Sequence, residues 1–104
     1  MLAVQVAIVA WVDDVQPGWV AAQFVDAWGS KHRFIDKVPI FTAVDLDRDS
    51  TYPQSGVIAC KIVDTQPHPD GHELLIINTE KPWGVMATTG ATHFAVIRAQ
   101  LIEI

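Results

Sequence analysis

Cysteine is nearly absent from this chain: Cys60 is the only one among 104 residues. An internal disulfide framework is therefore excluded, and a reducing, cytoplasmic setting is the expectation. Cys60 lies within the apolar run Val57-Ile58-Ala59-Cys60-Lys61-Ile62-Val63, which suits a buried structural thiol better than a reactive thiolate. Positive charge is scarce too. Only 7 Lys and Arg stand against 12 Asp and Glu, for a net charge of −5, and no basic residue precedes Lys31. A chain so charged gains little from counterion release, which argues against nucleic acid or an anionic membrane as partner. The acids are scattered, so no acidic tail is implied.

Long apolar runs are missing as well. Met1 to Val12 is apolar but ends in Asp13-Asp14, with no basic n-region and no convincing small-residue cleavage site. It reads as a strand of the mature protein, not a signal peptide, and is too short to span a bilayer. No stretch holds a helical period, no repeat recurs and no Gly/Ser-rich linker divides the chain, so residues 1–104 read as a single domain.

What the chain does have is apolar residues at every second position, with half of all residues hydrophobic. Leu2, Val4, Val6, Ile8, Ala10 and Val12 share one parity, which predicts a strand with its even face inward. After the turn Asp13-Asp14-Val15-Gln16-Pro17-Gly18 the pattern resumes over residues 19–27, with Val20, Ala22 and Phe24 on one face. These two runs form a predicted hairpin, with Trp11 and Trp19 as a cross-strand pair beside its loop. Residues 32–38 alternate less cleanly and suit an edge or bulged strand ended by Pro39. Residues 43–55 are polar and read as a loop holding at most a turn of helix, with Tyr52-Pro53 a candidate cis bond.

Gly56 to Val63 is apolar on both parities, as in a central strand buried on two sides. The breaker Gln66-Pro67-His68-Pro69-Asp70-Gly71 separates it from a return strand over residues 73–79. A short strand is expected at residues 85–88, and a closing one over 92–102, with strand and helix competing over Ile97 to Ile102. Short connections imply antiparallel pairing. The expectation is an all-β fold: a small antiparallel barrel of six or seven strands, with a two-layer sandwich as the alternative. The N-terminal hairpin and compact antiparallel pattern resemble translation-factor-type β-barrels in architecture, a resemblance that implies no function.

Motifs that carry chemistry are few. His68-Pro69-Asp70-Gly71-His72 offers His68, Asp70 and His72 as weak metal candidates, but on a Pro/Gly turn they read as solvated turn residues. Asp45-Leu46-Asp47-Arg48-Asp49 mimics the start of a calcium loop, then fails: Ser50 replaces the turn glycine and Gly56 the bidentate glutamate. There is no GxSxG, phosphate-cradling glycine loop, CxxC or HExxH. Asp26 falls on an inward parity, where it either caps a turn or forms a buried ionisable site. No cofactor is expected.

The least ordinary feature is four tryptophans, Trp11, Trp19, Trp28 and Trp83, all beside predicted turns. Rings so placed either cap the ends of the core or form a contact surface. The reading that follows is a non-catalytic module working by protein–protein contact: an inhibitor, an immunity-type protein or an accessory subunit. A small-molecule-binding barrel lined by Asp26, His93 or tryptophans, with or without enzymatic activity, is the alternative. Nucleic-acid binding ranks below both, because Lys31, Arg33 and Lys37 make only a small patch. An edge strand also leaves room for pairing between copies.

Overall fold

A computed structural model describes residues 1–104 as two antiparallel sheets packed over one core. The strands are β1 (Leu2–Asp13), β2 (Trp19–Val25), β3 (Lys31–Lys37), β4 (Gln54–Ala59), β5 (Lys61–Pro67), β6 (Glu73–Asn78), β7 (His93–Val96) and β8 (Leu101–Glu103). One helical turn, α1 (Val38–Phe41), follows β3, and a 3-10 turn at Arg98–Gln100 precedes β8. The first sheet runs β3-β2-β1-β4, with β8 added to β1; the second runs β5-β6-β7. All-β is therefore the class, with eight strands instead of six or seven. No helix is long and apolar enough to cross a membrane.

β1 organises the first sheet because it pairs on both edges. β4 lies along one side through Ala3–Ile8, while β8 and β2 share the other. Its even residues Val4, Val6 and Ile8 are buried, as the alternation requires. Past Ile8 the register slips, so that Ile8 faces Ala22 but Ala10 faces Ala21. That bulge inverts the parity: Trp11 packs on the core while Val12 is exposed. It also corrects the expected Trp11–Trp19 pair, since Trp11 faces Val20 and Trp19 faces Asp13.

β3 is an edge strand, as expected, but it carries no bulge: its pairing with β2 is unbroken, with Phe34 buried and Lys31, Arg33, Ile35 and Lys37 exposed. The helical turn falls at Val38–Phe41, where Pro39 supplies a fixed φ, and not within the polar loop. Tyr52–Pro53 is cis, as are Gln16–Pro17 and Lys81–Pro82.

The run Gly56–Val63 is not one central strand. It bends at Cys60, where β4 ends its pairing with β1 and β5 begins pairing with β6. Ile58, Ala59 and Cys60 are buried, whereas every residue of β5 is exposed. Both parities are apolar because the chain changes sheets, not because it lies between two layers. Burial pushes the Cys60 thiol up to about 11, against a hydrogen bond with the Val4 backbone that lowers it, which fits a structural thiol.

Residues 85–88 form no strand. Val85 and Ala87 are buried at the alternate positions the pattern predicts, but no ladder accompanies them. Thr79, the one buried polar side chain, replaces it: its hydroxyl donates to the Val85 carbonyl at 2.7 Å, and its N–H donates to Thr92 at 2.9 Å. The last segment resolves the competition between helix and strand by doing both, a 3-10 turn and then β8.

The core is a cluster of 17 buried residues drawn from both sheets. Phe24 and Phe34 of the first sheet meet Phe94 of the second edge-on, with ring centroids at 5.4 and 5.6 Å. Neither sheet closes on itself. On one side β4 runs into β5; on the other, β7 runs through the 3-10 turn into β8, and two backbone bonds join the sheets' surroundings, Ala27 N–H to the Ala95 carbonyl and Thr88 N–H to the Arg33 carbonyl, both 2.8 Å.

Phe94→Ala should cost roughly 3–5 kcal/mol of stability, since it empties the contact between the sheets. Denaturant unfolding checks this, and Thr79→Val, which removes one buried hydroxyl bond, should cost only about 1 kcal/mol.

Candidate interaction surface

The four tryptophans divide into two kinds. Trp11 is half-buried, and its indole N–H donates to Asp14 Oδ1 at 2.8 Å. Asp14 is held in turn by Arg48, whose Nε reaches Oδ1 at 3.3 Å while Nη2 pairs with Oδ2. Gly18 lies flat on the ring: a Cβ there would stand 2.3 Å from Trp11 Cη2, and its φ is +96°. Trp11 therefore closes the end of the core. Trp19, also half-buried, has Lys37 Nζ 5.8 Å from its ring centroid.

Trp28 and Trp83 face solvent, 59% and 47% exposed. Trp28 tips the β2–β3 turn and packs on His68 of the β5–β6 turn, centroids 4.8 Å apart. Trp83 follows β6 and walls a surface groove of about 420 Å³ with Pro39, Ile40, Ala43, Val57 and Ile104. A second groove shares Phe41–Ala43 and Val57 with the first and extends past Gln5 and Ile102. Together they make an apolar trough beside α1, β4 and the C-terminal strand. Sequence reading placed Trp83 beside a turn; that α1 and Ile104 gather around it was not legible, because three distant segments build the wall.

The weak metal candidates do come together, around Asp70. His68 Nδ1 lies 2.5 Å from Asp70 Oδ1 and His72 Nδ1 3.0 Å from Oδ2. The His72 backbone N–H, then its side chain and His68, hold the Asp70 carboxyl down at about 2. Both Nδ1 atoms are thus engaged with the carboxylate. No three His, Cys, Asp or Glu side chains are arranged to hold a metal ion. Asp45–Asp49 likewise turns inward on itself: Asp47 Oδ1 accepts from Asp49 N–H at 2.8 Å, and Tyr52 donates to the Asp47 carbonyl at 2.7 Å. His93 is exposed, and its ring Nδ1 lies 3.0 Å from the Thr92 hydroxyl.

Asp26 takes both roles expected of it. Oδ1 accepts the N–H groups of Trp28 and Ser30, each at 2.9 Å, and Oδ2 meets His32 Nε2 at 2.7 Å. The pair is largely buried, with side-chain exposures of 11% and 22%, and His32 lies 4.6 Å from Phe94. Burial works to raise the Asp26 pKa, but the bonds from His32, Ser30 and Trp28 outweigh it and the net shift is downward. His32 was missed as its partner, although the inward parity it shares with Phe34 was the available signal.

Comparison with protein-family models, with curated proteins and with solved structures returns no match.

Because the folded pKa of Asp26 lies below its ordinary value, its stabilisation is present above the ordinary carboxylate pKa and is lost as pH falls through the folded value. Asp26→Asn should cost roughly 1–2 kcal/mol at pH 7, and the cost should shrink below about pH 4. Denaturant midpoints of both proteins across that range test it. Gly18→Ala should cost at least about 1–2 kcal/mol, because a side chain there meets both the ring and an unfavourable φ; thermal unfolding measures it.

Proposed function

We propose that this chain is a half-closed β-barrel module that works without catalysis, by contact with another protein, as an inhibitor, immunity-type protein or accessory subunit. The observation that carries the reading is Trp83, 47% exposed on the wall of an apolar trough. Tryptophan is among the residue types most enriched in binding hot spots, and one beside an apolar concavity lets a partner's side chain dry both surfaces at once. Trp28 supplies a second exposed ring, braced by His68. The net charge of −5 favours a partner with a basic rim, which would also speed encounter.

For the barrel itself, the support is the passage of β4 into β5 through Cys60 and the bonds Ala27–Ala95 and Thr88–Arg33 on the opposite side. The alternative of a small ligand has to use a surface groove: Phe24, Phe34 and Phe94 fill the space between the sheets and line none of the concavities.

A partner captured with the intact protein should bind Trp83→Ala about 30-fold or more weakly, corresponding to a loss of ~2 kcal/mol or above. Titration calorimetry with the purified pair measures it. An unchanged Kd for both Trp83→Ala and Trp28→Ala would remove the tryptophan surface from the function.

A further inference from the structure

β5 is a seven-residue edge with no backbone bond beyond its own ladder. The other edges are each met by another segment or are short. Thr88 N–H donates to Arg33 on β3, and Ala27 N–H donates to Ala95 on β7. α1 lies close against β4, so that a Cβ at Gly56 would stand 3.1 Å from the Phe41 carbonyl oxygen. β8 is only three residues long. β5 spans seven residues, pairs with β6 on one side alone, and makes no backbone bond to any other segment. It carries Ile62 and Val63 at 39% and 51% exposure. An exposed edge of this length with apolar side chains is a template for another strand.

The strand also carries a register. Lys61 pairs with Asn78 and Asp64 with Ile76, because the ladder slips by one residue between Ile62 and Asp64. Asn78 and Ile76 are two apart and share a face of β6, so Lys61 and Asp64 share a face of β5. In a regular strand, residues three apart would point to opposite faces. The bulge therefore makes β5 self-complementary. Laid antiparallel on its own copy with Ile62 opposite Val63, it sets Lys61 opposite Asp64 of the other copy, and two-fold symmetry makes that contact twice.

We propose that β5 is a homodimerisation edge, pairing antiparallel with β5 of a second copy in this register. The two Lys61–Asp64 contacts select the alignment, and Ile62 and Val63 leave water together. Beside the strand, Met1, Leu2 and Pro82 border a groove with Ile62 and add apolar surface at its end. The interface is small, so the dimer is a reversible one with a Kd on the order of tens of micromolar. This surface adjoins the trough at Trp83, through Met1 beside Ile104 and Pro82 beside Trp83, but shares no lining residue with it and stands whether or not that trough binds a partner.

Sedimentation equilibrium of the full chain from about 10 µM to 1 mM tests it, together with two charge reversals. The wild type should dimerise, while Lys61→Asp and Asp64→Lys should each weaken dimerisation about tenfold or more, because each places like charges opposite one another. An equimolar mixture of the two variants should recover dimer, since every contact then joins opposite charges. A wild type that stays monomeric overturns the proposal, as does a dimer indifferent to Lys61→Asp, or a mixture no more dimeric than its components. Asp64 also accepts from Thr65 N–H at 2.8 Å, so Asp64→Lys risks local damage. Should that variant misfold, amide exchange in the wild type decides: residues 61–66 exchanging more slowly as concentration rises supports the edge, and no change refutes it.

Discussion

The contact of Phe24 and Phe34 with Phe94 is the constraint on which the rest of the molecule depends. The two sheets share no ladder. They are joined covalently through the bend at Cys60 and again through Ile97–Gln100 between β7 and β8, and otherwise by isolated backbone bonds. Nothing in strand pairing alone would keep one sheet facing the other, so apolar burial has to. At roughly 1.5–3 kcal/mol for each buried aromatic or large aliphatic side chain, the shared core outweighs the few polar bridges by a wide margin. The Asp26–His32 pair sits at the edge of this cluster, with the His32 ring against Phe94, and ties the β2–β3 turn to it.

Much of this architecture was legible because period-two alternation and turn chemistry are local. The inward faces of β1 and β2 follow directly from Val4, Val6, Ile8, Val20, Ala22 and Phe24, and the turn around Pro67–Gly71 falls where its residues demand. The errors share one cause: alternation records which side chains are buried, and not what buries them. Val85 and Ala87 alternate like a strand but are covered by loop packing around Thr79. Gly56 to Val63 looks like a doubly buried strand because a bend presents its two halves to different sheets. The bulge after Ile8 is of the same kind, since no residue there announces the slip that turns Trp11 inward.

The candidate surface was legible to a lesser degree. Four tryptophans beside turns are visible in the sequence, but whether a ring caps the core or faces water depends on distant segments. Trp11 is drawn in by the parity change and satisfied by Asp14, whereas Trp83 stays out because α1 and Ile104 form a wall beside it without covering it. The histidines of the β5–β6 turn show the same dependence. Their spacing suggested ligands, and folding engages them with the carboxylate between them.

The two lone bonds between the sheets carry a mechanical implication. Each ladder amide is backed by its neighbours, so opening one costs the cooperative unit. The amides of Ala27 and Thr88 have no such neighbours; each rests on a single carbonyl across the gap. The sheets are therefore tied by the chain at Cys60 and at Ile97–Gln100, and latched in addition by two small catches. Loosening of those catches costs no ladder bond, so a fluctuation at that seam precedes the loss of any strand.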